Sequence, residues 1–451
     1  MLITINVKNI DFWKIKSYSG VRGVYGSELT PEATYYLANA YASIMETDNV
    51  IIGRDTRPSG IPLKHATISG LTTAGCKVID VDITPTPAIL YFTKRLKMDG
   101  GIIISASHNP PEYNAMKMSD GNGLLIWDDK LDEIIKRAEG GELKISNNPG
   151  TIECRDINDG YIEAVMKVMD VEDVKNSNLK VVVDPGGGAG SLTTPKMLSK
   201  LGCKVISINA IPGKFSRPIE PTEEALKETS KIVKSIGADI GLAHDCDADR
   251  LVCIDDTGKV VGEDYSMAIA LRHIIKRKKV NRVVINVASS KVLQDIAEEY
   301  GVKVYWSKVG EANMIKTMME TNSEIGVEGS SGGLILREFH MARDGAIATL
   351  AIIREVMESG KKVSEIISEM PRYYMIKTNI QKNNINLEDK IDKLKVLGDL
   401  NLIDGVKISS ENWWALIRPS RTEPKIRIIV EAREREQALE TIKRVLEIIS
   451  C

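Results

Sequence analysis

The sequence predicts an α/β protein: three tandem α/β domains with mixed, mostly parallel sheets, followed by a smaller C-terminal α+β domain. Three observations predict it. Continuous Val and Ile runs recur ahead of helical stretches, each block repeats one strand, loop, helix, Gly and strand plan, and that plan changes near Tyr373.

The first block runs from NVIIGRD to AGCKVIDVD, the second from LKVVVDPGGG to LGCKVISIN, and the third from RVVINVASS to YGVKVYWSK. Unbroken apolar strands alternating with helices belong to parallel sheets covered on both faces. From Tyr373 the strand-like IKTNI, KISS, WWALIR and KIRIIVEA surround one helical stretch and precede EREQALETIKRVLEII, an α+β pattern. Polar or Gly-containing interruptions (NNPGT, DDTGK, MPRYY) place the domains at 1–150, 151–257, 258–370 and 371–451.

At 451 residues, 43% apolar and 27% charged, the chain exceeds one ordinary core and has globular composition. Lys plus Arg, 60, nearly balances Asp plus Glu, 62, so no bulk field draws it to nucleic acid or an anionic membrane. No run approaches the roughly 20 apolar residues of a membrane span, and MLITINVKNIDFWK lacks signal-peptide order, so a cytoplasmic location is expected. Cys76, Cys154, Cys203, Cys246, Cys253 and Cys451 lack CxxC spacing, which argues against zinc and disulfides. Small-molecule partners are expected, and the sequence is compatible with a homo-oligomer.

Four loops carry chemistry. In SASHNPPEYNAMK, two prolines fix φ and remove two donors, a segment poor as helix or strand that holds Ser107 at the edge of a stiff, exposed loop, as a nucleophile is presented. A Pro-rich turn is the plain alternative, and His108 is read as orienting this loop rather than as a base. In HDCDADR the alternating Asp245, Asp247 and Asp249 turn three carboxylates to one side, which suits Mg²⁺ with a phosphate, and Arg250 balances charge that the metal leaves exposed. A solvated acidic turn is the alternative.

In GVEGSSGG, Glu328, Ser330 and Ser331 suit vicinal sugar hydroxyls, although a Ser/Gly turn reads equally well. In RPSRTEPKIR, Arg418, Ser420, Arg421, Thr422 and Arg427 gather the donors of a bidentate phosphate clamp, or of a basic surface turn. SGVRG adds Arg22, assigned to the site ahead of Arg54 of GRDTRPSG. DPGGGAGS lacks the lysine of a nucleotide P-loop and is read as a tight strand-to-helix turn, and His65 and His273 are read as ordinary helix residues.

With these four motifs in this order, supported by SGVRG, GRDTRPSG, TPTPA and FSRPIEPT, the chain resembles the α-D-phosphohexomutase superfamily along essentially its whole length. The resemblance implies domains around a central cleft and a phosphoserine at Ser107. It also implies Mg²⁺ held by Ser107, Asp245, Asp247 and Asp249, with Lys117 as acid/base beside Arg22. Glu328 and the neighbouring serines would read the sugar, and the Arg418 loop would grip the distal phosphate. The implied activity interconverts hexose 1-phosphates and 6-phosphates, glucose and mannose first, through a hexose 1,6-bisphosphate.

Phosphoglucosamine mutase is the alternative within the family. Outside it stand a Mg²⁺-dependent sugar phosphatase and a non-catalytic sugar-phosphate sensor. Three departures stand out: Cys246 where the family usually has Gly, which predicts backbone strain or a shifted path; EGSSGG in place of Glu-x-Ser-Gly-His; and Arg421 in place of Gly or Asn.

Overall fold

The run Asn49–Arg54 pairs in parallel with Lys77–Ile83 and with Gly100–Ile104, inside a seven-stranded sheet. Its side chains alternate between two cores. Val50 and Ile52 join Leu37, Tyr41, Leu63 and Leu71 of the helices Pro31–Ile44 and Gly60–Thr73, while Ile51 packs with Ile89 and Leu90 of Thr86–Arg95. A strand buried on both faces needs no polar alternation, which is why its sequence reads as continuous Val and Ile. This computed structural model describes residues 2–4, 10–17, 19–171, 176–381, 386–419 and 425–450. It falls into two units, Met1–Gly262 with Gly333–Ser364, and Glu263–Gly332 with Glu365–Cys451.

The expectation that SASHNPPEYNAMK is a loop throughout is corrected. Tyr113–Asp120 is a strand antiparallel to Gly100–Ile104, and the prolines confine the irregular backbone to the segment before it. Gly20–Val24 pairs on the far side of that strand, setting Gly20 opposite Lys117 and Arg22 opposite Ala115. Arg22 and Lys117 are therefore diagonal neighbours on one face.

The second sheet of this unit orders Lys204–Ser207, Lys180–Asp184, Ile240–His244 and Leu251–Ile254. The first three are parallel and the last returns antiparallel, so HDCDADR is the hairpin connection at the carboxyl end of a parallel strand. DPGGGAGS is the expected tight turn, with Gly186 and Gly187 at φ 57 and 70 ahead of a short 3₁₀ turn, Ala189–Leu192. A Cβ on Gly188 would lie 2.5 Å from the carbonyl oxygen of Cys246, so the glycine lets this turn seat the acidic loop.

In the other unit, Arg282–Asn286 pairs in parallel with Lys303–Ser307 and Ile325–Glu328. Beyond it lies the five-stranded antiparallel sheet Tyr374–Gln381, Lys425–Ala432, Trp413–Pro419, Val406–Ser409 and Asp399–Asn401. Ala438, Ile442 and Val445 of the helix Arg435–Ser450 cover one face over Ile417, Ile426 and Ile428. Trp414 and Leu416 on the opposite face pack against Val287 and Ala288.

On that second face the Lys407 ammonium lies 4.4 and 4.2 Å from the ring centroids of Trp306 and Trp414 and donates to the Val287 carbonyl at 2.9 Å. Burial draws its pKa down to about 8. No helix among the described residues is long and apolar enough to cross a membrane.

Candidate active site

Ser107 is not on an exposed edge, as its Pro-rich loop predicts, but 2% exposed. Pro110 and Pro111 face solvent while the serine turns inward, because Arg57 and Asp245 reach in from two other segments. Its Oγ donates to Asp245 Oδ2 at 2.7 Å, and its backbone N–H donates to Ser105 Oγ at 3.0 Å. Nη2 of Arg57 donates to the carbonyls of Ser107, at 2.9 Å, and Asn109, at 2.5 Å. Arg57 has no exposed side-chain surface and is ion-paired with Asp55. These bonds hold Ser107 at φ 51, a left-handed conformation costly for a residue with a Cβ.

The three aspartates are buried, and their nearest carboxylate oxygens all lie within 4.8 Å of one another. Each spends one oxygen on a defined partner. Asp245 accepts from Ser107, Asp247 from Thr86 Oγ1 at 2.7 Å and Lys117 Nζ at 2.8 Å, and Asp249 from Arg343 Nη2 at 2.6 Å. The second oxygen of each, Oδ1, is buried without a hydrogen-bond partner. Buried carboxylate oxygens without donors are costly, and three carboxylates this close offer an oxygen-only donor set for a hard divalent cation. Burial, then Asp249 and Asp247, pushes the Asp245 carboxyl well above the ordinary range. Burial acts upward on Asp247 too, but Lys117, Thr86 and Arg343 outweigh it and hold that carboxyl low.

Cations crowd the same place. The Nε of Arg250 lies 3.8 Å from Asp245 Oδ2 and 3.9 Å from Asp249 Oδ1, and its Nη1 is 3.4 Å from Glu220. Arg22 Nη1 donates to Asn109 Oδ1 at 2.6 Å, and burial lowers its pKa. Burial first, then Arg250, Arg22 and Arg343, pull His108 down to about 2, so its imidazole is neutral. Arg54 turns away from these groups and pairs with Asp82 at 2.8 Å, as a structural arginine does.

In the other unit, Glu328 is 3% exposed and accepts from the Gly310 N–H at 2.9 Å and from Ser331 Oγ at 2.8 Å. Asn286 Nδ2 reaches Ser330 Oγ at 3.3 Å. Arg418 pairs through Nε with Asp404 Oδ2 at 2.7 Å, and Arg427 stands opposite Arg418 in the strand register. Ser420, Arg421 and Thr422 lie outside the described residues.

Four family models match the chain in order: Phosphoglucomutase/phosphomannomutase alpha/beta/alpha domain I over 14–144, domain II over 159–258, domain III over 262–374, and the C-terminal domain over 381–448. A phosphoglucomutase/phosphomannomutase of Thermococcus kodakarensis is 40% identical over 449 residues, 95% of this chain and 97% of that one. The chain belongs to the phosphoglucomutase/phosphomannomutase family. A probable phosphoglucosamine mutase of Methanopyrus kandleri is 34% identical over 439 residues, 96% of each chain. The crystal structure of a phosphoglucomutase/phosphomannomutase family protein of Burkholderia thailandensis shares the fold, with a TM-score of 0.85 at 25% identity over 97% of each chain.

Membership makes the chain a phosphohexomutase, an isomerase of the α-D-phosphohexomutase superfamily, built as three α/β/α domains and a C-terminal domain. Cys246, where the resemblance leads one to expect Gly, does not strain the loop. The left-handed residue of HDCDADR is Ala248, at φ 56, and Cys246 faces Thr56 Oγ1 at 3.5 Å while its carbonyl accepts from Ala189 at 2.8 Å. Two contributors carry no signal in the sequence: Thr86 sits in TPTPA, which supports the family resemblance without giving it a role, and nothing in HMARDG marks Arg343, 94 residues from its partner Asp249. Arg57 of GRDTRPSG, which the sequence leaves open between the site and a structural pair with Asp55, does both.

Proposed function

We propose that the protein interconverts hexose 1-phosphates and hexose 6-phosphates, glucose and mannose phosphates first, through phosphorylated Ser107 and a hexose 1,6-bisphosphate. One observation carries this reading: the Ser107 hydroxyl bonds to a buried triad of carboxylates that lie within reach of one cation, each keeping one oxygen free of hydrogen bonds. Asp245, Asp247, Asp249 and a phosphoryl oxygen on Ser107 are the groups that would hold Mg²⁺, which when bound neutralises charge on the transferring phosphoryl group.

The chain's own residues do the rest. The bond from Ser107 Oγ to phosphorus breaks as a hydroxyl of the sugar monophosphate forms its own. Lys117 is the acid/base group: it passes the proton given up by the attacking sugar hydroxyl to the departing serine oxygen, and in the return step passes the serine's proton to the departing sugar oxygen. Arg22 and Arg250 offset phosphate charge, and neutral His108 orients the serine loop. Glu328, Ser330 and Ser331 read the sugar hydroxyls. Arg418, Ser420, Arg421, Thr422 and Arg427 hold the phosphate that is not reacting. The second transfer returns the other phosphoryl group to Ser107 and frees the isomer.

We also place the domain boundaries near 150, 257 and 370. A cytoplasmic setting fits the thiols of Cys76, Cys203 and Cys246, none of them in a disulfide. Phosphoglucosamine mutation is the second reading, favoured by the name of the Methanopyrus kandleri relative. The test is phosphorus NMR of the protein with Mg²⁺, a trace of hexose 1,6-bisphosphate and, in turn, the 1-phosphates of glucose, mannose and glucosamine. A growing 6-phosphate signal supports the mutase and ranks its sugars. Inorganic phosphate alone would replace the reading with a phosphatase, and no change would replace it with a sensor.

A further inference from the structure

Asp404 makes two bonds with one oxygen. Its Oδ2 accepts from Arg418 Nε at 2.7 Å and from the backbone N–H of Val309 at 3.1 Å. The next N–H along, that of Gly310, donates to Glu328 Oε1 at 2.9 Å, and Ser331 donates to the other oxygen of Glu328 at 2.8 Å. Arg418 and Glu328, remote in sequence, thus hang on the same two-residue stretch of backbone.

The turn that carries Asp404 is built against Arg418. Gly405 has φ 82, and a Cβ there would lie 2.3 Å from the Ile417 carbonyl oxygen and 3.0 Å from Arg418 Cα. Only glycine lets the turn lie that close to the strand end. Asp404 is 9% exposed and Glu328 3%, so water competes little for these bonds.

We infer that Asp404 is a positioning residue that couples the phosphate-binding guanidinium of Arg418 to the sugar-reading carboxylate of Glu328 through the backbone of Val309 and Gly310. The inference rests on the roles proposed above for Arg418 and Glu328. Fixing the guanidinium by Nε leaves its Nη1 and Nη2 edge for a phosphate, the bidentate approach that arginine offers. The same oxygen fixes the Val309 amide, and with it the donor that aims Glu328. A shift at either end is passed to the other.

The test is a double-mutant cycle on kcat/KM with glucose 1-phosphate and mannose 1-phosphate, using Asp404→Ala, Glu328→Gln and the double variant. Thermal unfolding and the isosteric Asp404→Asn serve as controls for folding. Asp404→Ala raises KM about tenfold with a smaller change in kcat, the loss of one charge-assisted hydrogen bond. It also shifts the glucose-to-mannose preference at least about threefold, and its effect in the Glu328→Gln background is at least about fivefold smaller, the lower range of coupling between sites. A residue that serves only folding would leave sugar preference unmoved. Multiplicative effects with unchanged preference in an active parent overturn the coupling and leave the mutase reading standing. An inactive parent overturns the mutase reading, and the coupling with it.

Discussion

Replacing Arg57 by Lys tests whether the serine loop is held in its conformation or merely rests there. The lysine keeps a positive partner for Asp55, so the large penalty of a stranded buried carboxylate is avoided. Its one nitrogen cannot stand both where Nη1 meets Asp55 and where Nη2 meets the carbonyls of Ser107 and Asn109. One charge-assisted hydrogen bond is then lost, about 1.5–3 kcal/mol. Ser107 at φ 51 carries about 1–2 kcal/mol of conformational cost that those bonds offset. Released from them, the loop leaves the competent geometry in most molecules, and kcat falls by about 5–30-fold, the ratio that 1–2 kcal/mol represents. KM stays near the parent value, since Arg57 is wholly buried. The assay is saturating turnover of glucose 1-phosphate beside a thermal melt. A variant with kcat within twofold of the parent would refute the argument that Arg57 sustains the left-handed serine.

Three further predictions stand apart from that loop. Ser107→Ala abolishes mutase turnover and the gain of about 80 Da, one phosphoryl group, that intact-mass spectrometry would read on the parent after incubation with hexose 1,6-bisphosphate, with little change in melting temperature. Cys246→Gly lowers stability by about 1 kcal/mol, seen as a fall of about 2–4 °C in the melt, because the site does not use a left-handed backbone and the glycine adds only unfolded-state freedom. For Lys407 the sign follows from a folded pKa of about 8 below the usual lysine value. Below pH 8 both states are protonated and the fold bears the full cost of a buried ammonium. Between about 8 and 10.4 the folded protein sheds the proton first, so stability rises with pH, by about 3 kcal/mol from this group. Lys407→Met removes that rise, measurable as the difference between parent and variant in urea unfolding followed by tryptophan fluorescence at pH 7 and pH 10.

What was legible in the sequence was local. Val50, Ile51 and Ile52 announce a doubly covered strand because each face of the sheet needs an apolar residue. Asp245, Asp247 and Asp249 announce a cation site because three close carboxylates are otherwise costly. The register that sets Arg22 diagonal to Lys117 was not legible, since it depends on a strand pairing that the prolines disguised. Nor was the burial of Ser107, which is supplied by Arg57 and by Asp245, 138 residues away. Strain was expected at Cys246 from its residue type, whereas the backbone turns at Ala248. Arg343 and Asp404 gave no signal because their partners are brought to them only by the tertiary fold.

Cys246 stands in sequence between two aspartates of the triad, a position from which a thiolate would attract zinc, cadmium or copper. In the folded loop its sulfur faces the hydroxyl of Thr56, and the convergent donors are all carboxylate oxygens. Carboxylate oxygens suit magnesium and manganese, and without a thiolate they offer zinc, cadmium and copper no soft donor. With its sulfur turned to Thr56, the loop carries a soft atom that adds no thiolate to the oxygen set a magnesium ion would use.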